Sequence, residues 1–330
     1  MFKAIKFDGT DEEINQQWLE RRKHGIGGSD AAAILGLNKY ATQYTVWLEK
    51  TNRAEPDDLS DNEKVYWGTV LEPVIANEFA KRHPEFYITE PGAMYQSEQY
   101  PWMLASVDRV INVEQGRKKT EGGSWVFTTP GAILEVKTVG ERRRADWDDG
   151  VPDYYLAQVI HYLAVTGFDT AYVSVLIAGQ EYREYKIDRD QDDVDYLIER
   201  EKEFWGYVER DEVPPAMGGH AEAEAIIEQY PVADDLFLKM LDDDVPQVGQ
   251  YMEIGEKIKE LQAEKDRLNN DVKLLIGDHL GIETPRYKIK WSRSDYERFD
   301  SKKFQKENPD LYMKYLKTSK RDNGLRISII

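Results

Sequence analysis

Apolar positions recur along this chain at two periods, and the switch between them outlines the fold. Over residues 12–23, Ile14, Trp18 and Leu19 share one helical face. Over 62–82, Val65, Val70, Leu71, Ile75 and Phe79 form a second stripe, and over 152–166, Leu156, Val159, Ile160 and Leu163 form a third. The spacing predicts amphipathic helices there, with another over 192–209 and shorter ones over 31–35 and from Thr42, where Val46, Trp47 and Leu48 gather. Between these, the runs 86–88, 93–95, 104–113, 124–127 and 132–138 alternate or carry β-branched residues, and they read as strands. The polar stretch 114–123 reads as a hairpin loop. Two further strands, 171–177 and 181–187, are joined by Ala178-Gly179-Gln180. Gly25-Ile26-Gly27-Gly28-Ser29-Asp30 is a glycine-rich turn whose Ser29 or Asp30 is placed to cap the helix that follows. Residues 52–61 form a polar loop.

The pattern predicts an α/β core, a mixed central β-sheet flanked by helices, over residues 1–215. Pro214-Pro215 and Gly218-Gly219 then interrupt it. Residues 216–330 form a helical C-terminal extension of different character. Ile254, Ile258, Leu261, Leu268, Val272 and Leu275 follow a heptad-like spacing among charged residues. That is a long helix in a hairpin or at a subunit contact, or equally a helix packed on its own core. Residues 287–291 read as a short strand and 299–315 as helix.

Composition narrows the classes. With 41% apolar residues and 12% aromatics the chain of 330 residues is a folded protein. No apolar run reaches the roughly 18 residues of a membrane span, and the N-terminal residues lack the pattern of a secretion signal. There is no cysteine, which excludes thiolate metal sites and a cysteine nucleophile and fits a reducing cytoplasm. A net charge of -18 argues against a protein that coats nucleic acid with its outer surface, but permits a basic channel inside an acidic shell. Charge is unevenly spread: residues 188–244 are acidic, and basic residues prevail over 286–326. Arg21-Arg22-Lys23 and Arg142-Arg143-Arg144 are short basic clusters.

The sharpest chemistry lies at Ala105-Ser106-Val107-Asp108 and Leu134-Glu135-Val136-Lys137. As neighbouring strands they offer Asp108, Glu135 and the Val136 carbonyl as hard oxygen ligands for a divalent metal. Lys137 shares a strand face with Glu135, where it can orient a water or stabilise phosphate charge. Glu-x-Lys alone also suits a plain ion pair on a wet strand face. Here it is embedded in an apolar strand, where unpaired charge is costly. Glu72, mid-helix, is placed to reach a metal directly or through water, or is an ordinary exposed glutamate. Gln158 and Tyr162 are four apart on one helix face, where they can align a phosphate or water, or simply form polar surface. Arg22 with residues 25–30 offers a guanidinium, a hydroxyl and backbone amides for an anion, or a capped turn. No Gly-Lys-Ser phosphate loop is present.

The series Arg22 to Gly36, Trp67-Gly68-Thr69-Val70-Leu71-Glu72-Pro73, Ser106-Val107-Asp108, Leu134-Glu135-Val136-Lys137 and Ala157-Gln158-Val159-Ile160-His161-Tyr162 resembles the motifs of the YqaJ-type viral recombinase exonucleases. These are relatives of phage lambda exonuclease in the PD-(D/E)xK nuclease superfamily. The resemblance covers roughly residues 10–210, and 298–312 resembles tails of phage YqaJ-type proteins. It implies a PD-(D/E)xK restriction-endonuclease-like core and a processive 5′-to-3′ exonuclease on linear double-stranded DNA. The product would be a 3′ single-stranded tail for a single-strand annealing protein. It further implies Mg²⁺, with Mn²⁺ as a substitute, held by Asp108, Glu135, the Val136 carbonyl and Glu72. Lys137 would act on the attacking water, Gln158 would place the phosphate or water, and Arg22 and Ser29 would hold a 5′-phosphate, with Tyr162 on the DNA side. A ring-shaped homotrimer and a phage or prophage origin within bacterial cytoplasm are implied by the same resemblance. The long Asp108-to-Glu135 insertion departs from the family pattern. A structure-specific endonuclease on the same core, or an inactive DNA-end-binding module, are the alternatives.

Overall fold

The structure is a computed structural model that describes residues 2–56, 61–113, 117–119, 125–127, 131–231, 245–317 and 327. The chain divides into two compact units, Met1–Pro231 and Val232–Ile330.

The first unit is built on a five-stranded mixed sheet. In chain order, strand β1 (Phe2–Ile5) precedes helices α1 (Asp11–Lys23), α2 (Gly28–Ile34), α3 (Gln43–Lys50) and α4 (Glu63–Arg82). Strands β2 (Phe86–Thr89), β3 (Met94–Ser97), β4 (Leu104–Ala105), β5 (Arg109–Val113), β6 (Arg117–Lys119), β7 (Trp125–Phe127) and β8 (Ala132–Val139) follow. A 3₁₀ segment, Glu141–Trp147, leads to α5 (Asp153–Thr166), β9 (Thr170–Ile177), β10 (Glu181–Asp188), α6 (Gln191–Arg210) and α7 (His220–Gln229). The large sheet runs β10-β9-β8-β5-β2. Its β8–β9 pair is parallel and the others are antiparallel. A parallel pair needs a crossover, and α5 supplies it. A small antiparallel sheet, β1-β3-β4, lies in the same unit.

Strand alternation sets the two faces. Leu134 and Val136 of β8 pack with Ile75, Ala76 and Phe79 of α4. Ile133 packs on the opposite face with Val159 and Leu163 of α5. Burial on both faces explains the near-continuous apolar run of β8. On the outer side of α5, Ala31 and Ala32 of α2 meet Ala157 and, from α6, Leu197. These small residues let the helices approach closely. The mixed α/β core expected from the two periods is therefore what the chain forms.

Several elements differ from the pattern reading. Residues 104–113 are two strands, because the chain leaves the small sheet after Ala105 and enters the large one at Arg109. The polar stretch 114–123 is not simply a loop, since Arg117–Lys119 pairs with Trp125–Phe127; its other residues lie outside the described ones. The helix expected from Ala31 begins at Gly28. Its cap is Gly27, and neither Ser29 nor Asp30 takes that place. Short elements of weak period (β1, α7 and the 3₁₀ segment) were not readable.

In the second unit, α8 (Pro246–Ile276) is a 31-residue helix. Ile254, Ile258, Leu261, Leu268 and Leu275 of its heptad-like seam stand exposed. A two-stranded ribbon, β11 (Gly281–Glu283) and β12 (Lys288–Lys290), follows. The helix expected over 299–315 is two short ones, α9 (Ser301–Glu307) and α10 (Pro309–Lys314), because Pro309 disfavours helical backbone at Asn308.

Candidate active site

Strand β5 pairs with β8 only from Ile111 to Arg109, opposite Ala132 to Leu134. Beyond Leu134, the edge of β8 that β5 would cover is taken by a side chain. The Val136 amide donates to Asp108 Oδ2 at 2.8 Å. Asp108 is thus held at the point where two strands part. On the α5 face of β8, Glu135 and Lys137 stand side by side as their parity requires, with Lys137 Nζ bonded to Glu135 Oε1. Gln158 of α5 closes the group. Its Oε1 accepts from Lys137 Nζ at 3.1 Å, and its Nε2 donates to Glu135 Oε1 at 2.9 Å and to the Tyr162 hydroxyl at 2.9 Å.

Asp108, Glu135, Val136, Lys137 and Gln158 line one cleft of about 430 Å³, together with Glu72, Lys64 and Tyr155. Glu72 reaches it from α4, but its Oε1 accepts from Arg109 Nη1 at 2.5 Å. Tyr162 lies beneath the surface at 4% exposure, so it acts on the cleft through Gln158.

The electrostatics are strained in one direction. Burial and then the charge of Glu135 push the Asp108 carboxyl up to about 8. Burial works against the Lys137 ammonium, but Glu135 and Asp108 outweigh it, and its pKa lies above the ordinary lysine range. Burial, Glu135 and Asp108 together raise the Tyr162 phenol well above its ordinary value, so it remains a neutral hydroxyl. Glu135 is 2% exposed and its Oε2 has no hydrogen-bond partner among the described residues. Among the described residues, no three His, Cys, Asp or Glu side chains form a ready-made metal cluster. The donor set still suits a hard divalent cation. Mg²⁺ commonly takes one or two carboxylates and completes its shell with water and substrate phosphate. A buried unpartnered carboxylate oxygen beside a carboxyl that resists ionisation is the charge imbalance such a cation corrects.

A second group lies across Gln158. Arg22, in the last turn of α1, donates from Nη2 to Ser29 Oγ at 2.8 Å and pairs with Asp30 Oδ1 at 3.4 Å. Its guanidinium sits 5.0 Å from the Trp18 ring, and Trp18 Nε1 donates to Ser106 Oγ at 2.9 Å. The backbone amides expected to serve an anion are partly used internally: Ile26 N donates to Trp102 O, and Gly27 N to Asp30 Oδ2. The guanidinium and the hydroxyl remain for a ligand. Gly28 explains why this corner lies so near the cleft. A Cβ there would sit 2.5 Å from Tyr162 Cε1 and 2.9 Å from Gln158 Cγ. A hollow of about 390 Å³ adjoins both groups, lined by Ser29, Lys39, Arg143, Tyr154, Tyr155 and Gln158 among others.

Every site residue expected from the sequence falls in this region. Sequence reasoning missed Arg109, Tyr155, Trp18, Lys50 and the buried pair His161–Glu201. His161 Nδ1 lies 2.7 Å from Glu201 Oε1, and its Nε2 lies 2.9 Å from the Leu104 carbonyl, tying α5 to α6 and to β4. A histidine on the apolar face of α5 was the one available signal.

A family model described as the YqaJ-like viral recombinase domain matches residues 17–169, which include Arg22 through Tyr162. The chain is 32% identical over 313 residues to the "Uncharacterized protein YqaJ" of Bacillus subtilis, covering 93% of this chain and 92% of that one. A protein of African swine fever virus is 34% identical over 68 residues, 21% of this chain and 19% of its own. Among solved structures, an alkaline exonuclease from Laribacter hongkongensis is similar with 15% identity and a TM-score of 0.45, over 59% of this chain and 93% of that one. A phage-related exonuclease from Haemophilus somnus is similar with 13% identity and a TM-score of 0.40, over 56% and 94%. On the family match and the near full-length relative, the chain belongs to the YqaJ-like viral recombinase domain family.

Proposed function

We propose that the protein is a metal-dependent exonuclease that degrades linear double-stranded DNA from its 5′ ends and leaves 3′ single-stranded tails for an annealing partner. The observation that carries this reading is the meeting of Asp108, Glu135, Lys137 and Gln158 in one cleft, with a buried carboxylate oxygen left unpartnered among the described residues. Asp108 and Glu135 would hold Mg²⁺, or Mn²⁺ in its place, with the Val136 carbonyl and Oε2 of Glu72 as further donors. The bound cation would neutralise the scissile phosphate and lower the pKa of an attacking water.

The chain's own residues do the rest. Lys137 keeps a positive charge in the cleft, and Glu135 and Gln158 fix where its ammonium points. That placed charge orients the attacking water and stabilises phosphate charge as it develops. Gln158 is itself fixed by the Tyr162 hydroxyl, so the phosphate meets a preset amide. Arg22 supplies guanidinium donors for a terminal phosphate. Ser29 Oγ accepts from Arg22 and so keeps its own hydrogen to donate. A 5′-phosphate held there registers the strand end against the carboxylates, which gives both polarity and end dependence. A ring of copies with its basic groups facing an enclosed path would reconcile the acidic net charge with DNA. Action on DNA inside a bacterial cell infected by phage, or carrying a prophage, fits the family.

The test is digestion of linear duplex labelled at one 5′ end, with Mg²⁺ or with chelator, beside covalently closed circular DNA. Metal-dependent loss of label from the linear duplex, with the circle intact, is the expected result. Nicking of the circle would establish an endonuclease instead, and end binding without cleavage in Mg²⁺ or Mn²⁺ would establish a non-catalytic module.

A further inference from the structure

Lys50 is an unusual residue to find enclosed. Its side chain is 2% exposed at the end of α3, and lysines are almost never fully buried unless paired. Its ammonium makes two polar contacts among the described residues. It pairs with Asp30 Oδ2 at 2.7 Å and donates to the Arg22 carbonyl at 2.9 Å. Asp30 in turn accepts from the Arg22 guanidinium and from the Gly27 amide. Arg22 is therefore gripped at both ends, at its backbone by Lys50 and at its guanidinium by Asp30.

The charge arithmetic matters more than the grip. Arg22 and Asp30 alone form a neutral pair, and a neutral pair has little pull on an anion. Burial opposes ionisation of Asp30, yet Lys50 and then Arg22 hold its carboxyl below the ordinary value, so the carboxylate stays charged. With Lys50 included, the corner holds two cations to one anion.

We propose that Lys50 is a positioning residue that keeps the Arg22–Ser29 corner net cationic and thereby sets its selectivity for a phosphorylated strand end. This inference rests on the phosphate-binding reading of Arg22 and Ser29. Asp30 serves to orient Arg22, and on its own it would cancel the charge it orients. Lys50 restores that charge from behind, where it touches no ligand. The guanidinium keeps Nε and Nη1 uncommitted among the described residues and can present them to the phosphate.

The test is equilibrium binding of the full-length protein, in chelator, to a hairpin duplex with one open end carrying either a 5′-phosphate or a 5′-hydroxyl, read by fluorescence anisotropy. The wild type should prefer the phosphate end. Lys50→Met should cut that preference about tenfold, the order expected when a unit charge several ångströms away is lost at an intermediate dielectric. Affinity for the hydroxyl end should change little. The double variant Asp30→Asn/Lys50→Met leaves Arg22 as a lone cation and should recover most of the preference, which a packing role could not explain. Should Lys50→Met fail to fold, Asp30→Asn alone should show a preference at or above wild type.

An unchanged preference in Lys50→Met overturns the inference. So does equal weakening at both ends, no recovery in the double variant, or a lost preference in Asp30→Asn. If Lys50→Met alone is unchanged while Arg22→Ala loses the preference, the phosphate reading stands and only the role of Lys50 falls. A wild type without any preference removes the phosphate reading and this inference with it.

Discussion

Two corners of the same groove are built from the same kinds of group in opposite proportion. At the strand ends, Asp108 and Glu135 face one cation, Lys137. At the α1–α2 turn, Arg22 and Lys50 face one anion, Asp30. The first is left short of positive charge, with a carboxyl pushed to about 8 and a buried oxygen without a partner among the described residues. The second has its buried carboxylate held in the charged form by its two cations. Opposite imbalance is what the proposed function requires of two opposite ligands, a metal ion in one corner and a terminal phosphate in the other. Gln158 and Tyr162 stand between them, and Gly28 lets the two meet.

The largest effect should come from the carboxylate corner. Lys137→Ala should lower cleavage by about a thousandfold or more, as expected when preorganised charge at a reacting phosphate is removed. DNA-end affinity measured in chelator should survive. Near-normal cleavage in that variant would mean the corner does not act as a unit.

Next is the cationic corner. Arg22→Ala should reduce discrimination between 5′-phosphate and 5′-hydroxyl ends by about tenfold or more, from loss of charge-assisted hydrogen bonds. The maximal rate on hydroxyl ends should move far less. Competition digests of the two ends check this, and equal loss on both would show that Arg22 serves the fold rather than the phosphate.

The link between corners should be the next most sensitive. Gly28→Ala places a methyl against the Tyr162 ring and Gln158. Overpacking of this kind costs about 1–3 kcal/mol. The account expects a lower melting temperature together with slower cleavage, because Tyr162 cannot give way without moving Gln158. A melting temperature that drops without any change in cleavage would uncouple Gln158 from the chemistry.

The remaining effect concerns pH. The folded pKa of Asp108, raised to about 8, lies above its ordinary value, so the folded state retains a proton that the unfolded chain releases. That stabilisation is complete below the ordinary carboxyl range and is lost as pH rises through about 8. In chelator, the melting temperature should therefore fall between about pH 6 and about pH 9. Asp108→Asn should flatten the fall, and Mg²⁺ should offset it at the alkaline end. A flat profile in the wild type would show that Asp108 is not under this constraint.

Much of this arrangement could be read from local pattern. The parity of Glu135 and Lys137 fixed their shared face, and the parallel pair β8–β9 follows from strand, helix, strand. Arg22 and Ser29 lie close in sequence, so their meeting across a tight turn was within reach. What stayed hidden depends on packing between distant segments. Arg109 reaches Glu72 from another element altogether. Lys50 meets Asp30 only because α3 ends against the α1–α2 turn. The glycine-rich turn suggested amides for an anion, but Gly28 is there for lack of a Cβ beside Tyr162. The single strand read over 104–113 concealed the break that aims Asp108 at the edge of β8.

The central claim is that Asp108 and Glu135 together form a cation site. Anomalous diffraction from crystals of the protein soaked in Mn²⁺ tests it most directly. The account predicts a Mn²⁺ peak ligated by both carboxylates in the wild type and absent in Glu135→Gln. A protein that cleaves DNA in Mn²⁺ yet shows no ion between Asp108 and Glu135 would contradict it.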